Sequence, residues 1–123
     1  MLSQLGYQIA SKSNIPQLLK NINPTGGTHF RDSLIGGCGL LLQLSELLEK
    51  TNTSEMWNFV HVVLTDGEDN GSKNSLAETL GIMNAIGNKV RVKSLKTIII
   101  GVGVSSQTEK DLKAIAHIGG KNA

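Results

Sequence analysis

Two short apolar runs organise the chain, residues 59–64 (Phe-Val-His-Val-Val-Leu) and 97–104 (Thr-Ile-Ile-Ile-Gly-Val-Gly-Val). Both are rich in β-branched residues and are followed by turn formers, which predicts strands. Apart from His61 neither alternates polar with apolar positions, and unbroken runs of this kind suit strands covered on both faces, as in parallel sheets. Helical periodicity fills the intervals. Ser75 and Glu78 have capping-box spacing ahead of Leu76, Leu80 and Met83, and Ser106 and Glu109 repeat the device ahead of Leu112, Ile115 and Ala116. Gly119 and Gly120 follow as a left-handed stop. A longer helix over residues 30–50 places Leu34, Cys38, Leu41 and Leu48 on one stripe, and a short one spans 15–22 with Pro16 near its start. Residues 1–13 are ambiguous between helix and strand. The order helix, strand, helix, strand, helix predicts an α/β fold: a mainly parallel sheet with helices on both faces, Rossmann-like, in a single domain over 1–123.

Glycine is the oddity of the long helix. Gly36, Gly37 and Gly39 fall inside it, each costing about 1 kcal/mol against alanine, so close approach of helix to sheet is the expected compensation. Gly37 and Gly39 are expected to face the sheet.

Composition narrows the function classes. The 123 residues suit one domain, 39% hydrophobic and 18% charged content is ordinary for a globular chain, and no apolar stretch reaches the roughly 20 residues of a membrane-spanning helix. The net charge of +2 and a basic cluster confined to Lys89, Arg91, Lys93 and Lys96 do not imply nucleic acid. One cysteine, Cys38, excludes an internal disulfide, and no secretory leader is recognised, so the reading leans cytoplasmic. Asn52-Thr53-Ser54 and Asn70-Gly71-Ser72 are glycosylation sequons, meaningful only in a secreted protein.

Ligands of open parallel sheets bind beyond the carboxyl ends of the strands. After residue 64 comes Thr65-Asp66-Gly67-Glu68-Asp69-Asn70-Gly71-Ser72, three carboxylates and a carboxamide on a glycine-hinged loop, with the oxygen chemistry of a hard-cation site. The second loop is Pro24-Thr25-Gly26-Gly27-Thr28-His29-Phe30, a hydroxyl at a helix start. Each residue has a plainer reading: Asp66-Gly67 as turn chemistry, Thr28 as a helix N-cap, and Glu68, Asp69 and Asn70 as solvated loop. An EF-hand reading of Asp66, Glu68, Asn70 and Gly71 fails because the twelfth position is Ala77. His29, His61 and His117 have no zinc spacing and read as filler. No Gly-x-Ser-x-Gly elbow, phosphate loop or complete dinucleotide fingerprint is present.

In this order, Gly26-Gly27-Thr28 leading into a helix, the strand ending Leu64-Thr65-Asp66-Gly67 and the strand containing Ile100-Gly101-Val102-Gly103 resemble the von Willebrand factor type A family over roughly residues 15–120. The resemblance implies a module that binds a protein partner through a magnesium or similar ion. The family holds that ion with an Asp-x-Ser-x-Ser loop, a threonine of a Gly-x-Thr-type loop and the aspartate of the Thr-Asp-Gly loop. It makes Thr28 and Asp66 the metal-site positions, with His29, Phe30, Glu68 and Asp69 as a rim, and implies no catalysis. The Asp-x-Ser-x-Ser motif is absent: the nearest pattern, Ser11-Lys12-Ser13, has Ile9 in the aspartate's place and lies too close to Thr28. The expectation is therefore a domain truncated at both ends, with a partial adhesion site whose magnesium binding is weak or absent. The edge of the strand over 59–64 should be open and recruit another strand, either from residues 5–10 of the same chain or, since Gly6 and Gln8 make that segment a poor buried strand, rather from a neighbouring molecule. The alternatives are a nucleotide- or substrate-binding α/β enzyme domain and a metal-free structural remnant.

Overall fold

The structure, a computed structural model, describes residues 13, 14, 16, 17, 29–66, 69 and 71–121. The first segment, 1–13, lies outside these residues except at Ser13, and the short helix predicted over 15–22 is described only at Pro16 and Gln17. The remaining elements follow in the predicted order: α1 (Phe30–Lys50), a 3-10 turn (Ser54–Met56), β1 (Asn58–Thr65), α2 (Leu76–Gly87), β2 (Ser94–Gly101) and α3 (Ser106–Ile118). β1 and β2 pair in parallel with Phe59 opposite Leu95, His61 opposite Thr97 and Val63 opposite Ile99. The chain is therefore mixed α/β with a parallel two-stranded sheet and three long helices among the described residues.

Two of the helix starts are local chemistry. Ser75 accepts from the Glu78 N–H while Glu78 accepts from the Ser75 N–H, completing the capping box expected from the sequence. At α3 the cap is one residue earlier than expected: Ser105, not Ser106, accepts from the Thr108 N–H. β2 begins at Ser94 and ends at Gly101, three residues before the predicted limits at each end, and Gly103 just beyond it has φ 67°.

All three helices pack on the same face of the sheet. Leu34 and Cys38 of α1, Met83 of α2 and Leu112 and Ile115 of α3 form one buried cluster, closed by Val63 and Ile99 from the strands. A second cluster joins Phe59, Val90, Val92 and Leu95 to Leu41, Leu42 and Leu48 of α1. The odd positions of both strands are turned to the helices, and the even positions Val60, Val62, Leu64, Ile98 and Ile100 are exposed. Coverage of both faces, expected from the unbroken apolar runs, is thus not met among the described residues. The strands are continuous in hydrophobicity yet half-covered.

The connection over residues 88–93 has one buried side. Val90 and Val92 are buried while Lys89, Arg91 and Lys93 are exposed, so the basic cluster is the outer side of a segment that plugs the core. Gly119 is not a left-handed stop: its φ is −80°. Glycine is required there for space, since a Cβ would strike the Thr97 side chain, whose hydroxyl donates to the Gly119 carbonyl at 2.8 Å and ties α3 to β2. Beyond it, Lys121 and Leu95 exchange backbone hydrogen bonds of 2.8 and 3.0 Å, covering the outer edge of β2 at that point. Among the described residues no strand pairs with the outer edge of β1.

The helical glycines divide. A Cβ on Gly37 would lie 2.6 Å from His61 Nε2 and 2.8 Å from Cε1, so α1 rests directly on β1 at that point, as expected. Gly39 has nothing within 4 Å of such a Cβ and borders an open groove, against expectation. Two residues apart on a helix lie about 200° apart around the axis, so both cannot face the sheet.

Candidate functional site

Both strands end at the same level, where Thr65 is opposite Gly101 and the Val102 N–H donates to the Thr65 carbonyl at 2.9 Å. Asp66 is the next residue of the chain and is exposed. The loop that follows folds back onto the amino end of α1, and the reason lies in that helix. The first N–H groups of a helix have no partner within it. The N-cap of α1 is His29, which makes no side-chain capping bond. The loop supplies what is lacking: Asp69 Oδ2 accepts from the Arg31 N–H at 2.7 Å and Ser72 Oγ accepts from the Asp32 N–H at 3.1 Å.

The contact is reciprocal. Asp32, in the first turn of α1, accepts from the Lys73 N–H at 2.8 Å and from the Asn74 N–H and side-chain amide at 3.4 and 3.1 Å. Arg31 Nε donates to the Asn74 carbonyl at 2.7 Å and Arg31 Nη2 lies 3.7 Å from Asp69 Oδ1. Within the loop the Ser72 hydroxyl donates to Asp69 Oδ2 at 2.7 Å and the Ser72 N–H to Oδ1 at 3.3 Å. Gly71, at φ 107°, lies flush under the His29 imidazole, which leaves no room for a Cβ.

These bonds settle the charge of the two bracing carboxylates. The Lys73 N–H, then the Asn74 side chain, holds the Asp32 carboxyl below its ordinary value despite an opposing contribution from burial. Burial pushes the Asp69 carboxyl up, but the N–H of Arg31, the hydroxyl and N–H of Ser72 and the Arg31 charge together outweigh it and lower it. Both carboxylates are ionised and engaged by donors, Asp69 with a side chain only 6% exposed. The solvated-loop reading of Asp69 is therefore corrected: it caps the helix α1 from 38 residues away in the same chain. Phe30 is half-buried against the core cluster.

Of the two metal-site positions inferred from sequence, Asp66 is placed at the carboxyl end of β1, and Thr28 lies outside the described residues, as do Gly67, Glu68 and Asn70. The N-cap suggested for Thr28 is occupied by His29. Among the described residues no group of three His, Cys, Asp or Glu side chains gathers in a metal-holding arrangement. The local half of the brace was legible, since Asp-x-x-Ser is a side-chain-to-backbone turn pattern. Its partners on α1, some 40 residues away, carried no sequence signal. His61, read as filler, is half-buried beneath α1, and its Nδ1 is buried with no hydrogen-bond partner. Desolvation there lowers its pKa below the ordinary 6.5.

Comparison of the chain with family models, with curated proteins and with solved structures finds no match.

Proposed function

We propose that the chain is a ligand-binding module similar to von Willebrand factor type A domains, a non-enzymatic protein that engages a protein partner at the carboxyl end of its parallel strands through a partial metal-ion-dependent adhesion site. The observation that carries this reading is the reciprocal brace between the loop after β1 and the first turn of α1, made by Asp32, Asp69 and Ser72. Asp66 precedes that loop and Thr28 precedes that helix by two residues, within about 7 Å of extended chain from Phe30. Bracing the loop to the helix fixes the anchor points of both oxygen donors relative to one another.

The donor set bears on the metal. Magnesium takes six oxygens, and Asp66 with Thr28 would supply two, while Asp32 and Asp69 are each already engaged by three N–H or hydroxyl donors. The described residues do not complete a magnesium shell. When bound, magnesium would supply an electrophilic centre open to an acidic side chain of the partner. The chain's own contribution is to hold Asp66 at the carboxyl end of β1.

Magnesium titration followed by amide chemical shifts, with calorimetry alongside, tests this. The expected result is no binding in the micromolar range, and millimolar-range shifts centred on Asp66 that vanish in Asp66→Ala. Shifts that persist unchanged in Asp66→Ala refute the site. No shift at Asp66 at any concentration refutes the metal reading and favours the metal-free structural remnant. Micromolar binding abolished by Asp66→Ala shows that two loops suffice and that the discount for the absent Asp-x-Ser-x-Ser loop is wrong.

A further inference from the structure

The largest unexplained feature of the described surface is the face of the sheet turned away from the helices. Val60, Val62 and Leu64 of β1 stand beside Ile98 and Ile100 of β2, with Val102 just beyond, at exposures between 38% for Ile98 and 71% for Leu64. These side chains together expose on the order of 600 Å² of apolar residue surface, the upper end of what a monomer leaves open. At the amino end of the face the residues turn polar: Lys96 is opposite Val60, and Ser94 donates its hydroxyl to Asn58 Oδ1 at 2.7 Å.

We infer that this face is a homodimer interface, on which a second copy of the chain stacks its own sheet about a two-fold axis, strands running antiparallel across the interface. Three properties of the face select a second copy. A two-fold contact requires a self-complementary patch, and an apolar stripe spanning the levels of residues 60 to 66 meets itself when reversed about its middle, near Val63. Burying the patch on both copies removes about 1,200 Å² in total, the lower limit of specific interfaces. The reversal also pairs charge. Lys96, level with Val60 at one end of the stripe, comes level with Asp66 of the other copy at the opposite end, and the two Lys96 ammonium groups stay apart. Sheets stacked in this way lie about 10 Å apart with interdigitated side chains. The inference needs no metal, although Asp66, the proposed metal position, takes part in the Lys96 pair, and it places the association on the face rather than on the edge of β1.

Sedimentation equilibrium of the whole chain in the presence of a chelator tests it. The expected result is a monomer–dimer equilibrium in the micromolar to high-micromolar range. Val62→Lys should raise the dissociation constant at least tenfold, with Ile100→Lys doing the same independently. Both positions are exposed in the single chain, so circular dichroism should be unchanged and folding preserved. Lys96→Glu should weaken the dimer several-fold, and combining it with Asp66→Lys should restore it. A monomer at every concentration overturns the inference, and shows the face to be solvated or covered by the chain's own remaining residues. A dimer indifferent to both lysine substitutions also overturns it, as does open-ended oligomerisation with new protection of the β1 edge amides, which assigns association to the edge. Failure of the charge swap alone overturns the antiparallel register.

Discussion

Replacing Gly37 by alanine introduces one methyl group between α1 and β1, and the structure allows its effect to be separated from helix propensity. The new Cβ would stand 2.6 Å from His61 Nε2 and 2.8 Å from Cε1, nearer than side-chain carbons approach in folded proteins. The imidazole is rooted in a paired strand and half-buried under the helix, so it turns away only by disturbing the residues around it. Overpacking of this kind costs about 1–3 kcal/mol. Against it stands the helix preference for alanine over glycine, about 1 kcal/mol. The net for Gly37→Ala is thus a loss of about 0–2 kcal/mol, an awkward quantity on its own. Gly39→Ala supplies the reference: same helix, same exchange, and nothing within 4 Å of the added carbon, so it should stabilise by about 0.5–1 kcal/mol. The difference between the two, about 1–3 kcal/mol, isolates the contact with His61. Urea denaturation read by circular dichroism measures both, provided the m-values agree with the parent chain. Adding His61→Ala to each should abolish the difference, because the obstructing ring is gone. If Gly37→Ala and Gly39→Ala stabilise equally, the helix does not rest on His61 and the placement of α1 on the sheet is wrong.

Asp69→Ala removes a carboxylate that accepts from Arg31 and twice from Ser72, and should destabilise by about 1.5–3 kcal/mol, as charge-assisted capping bonds do. Amide exchange should accelerate at Arg31 first, and a loss within 0.3 kcal/mol would mean the brace does not form. Acid should destabilise the fold in two stages. The unfolded chain protonates His61 near its ordinary 6.5 while the folded chain resists until lower pH, so stability is full above 6.5 and falls as the pH drops toward the folded value. Asp32 and Asp69 are depressed from 3.8, so their contribution is intact above that value and is lost as the pH falls through their folded values. Denaturation midpoints recorded from pH 7.5 to 3 on the parent and on His61→Leu should show the upper stage disappear in the variant, and an upper stage that persists assigns it to another group.

The elements of this protein were legible because each is announced by interactions over a few residues. The capping box at Ser75, the β-branched runs of both strands and the apolar stripe of α1 are local facts, and α1 spans the predicted Phe30–Lys50. The alternation of Lys89, Val90, Arg91, Val92 and Lys93 is an equally local signal of a segment with one buried side, one left unused in the sequence analysis. Asp66 was picked out by its place in the loop after a strand and by the family resemblance, and the structure puts it at the carboxyl end of β1. What only tertiary structure decided depends on residues distant in the chain. Asp69 looked like solvated loop because its partner is an N–H group of α1, and every helix has such groups whatever its sequence. Gly37 and Gly39 are indistinguishable by composition, and only the position of His61 separates the one that needs a missing side chain from the one that does not. The coverage of the sheet was undecidable for a related reason. An unbroken apolar strand states that neither face repels a neighbour, and whether a neighbour arrives depends on where the connections carry the helices, which among the described residues is to one side.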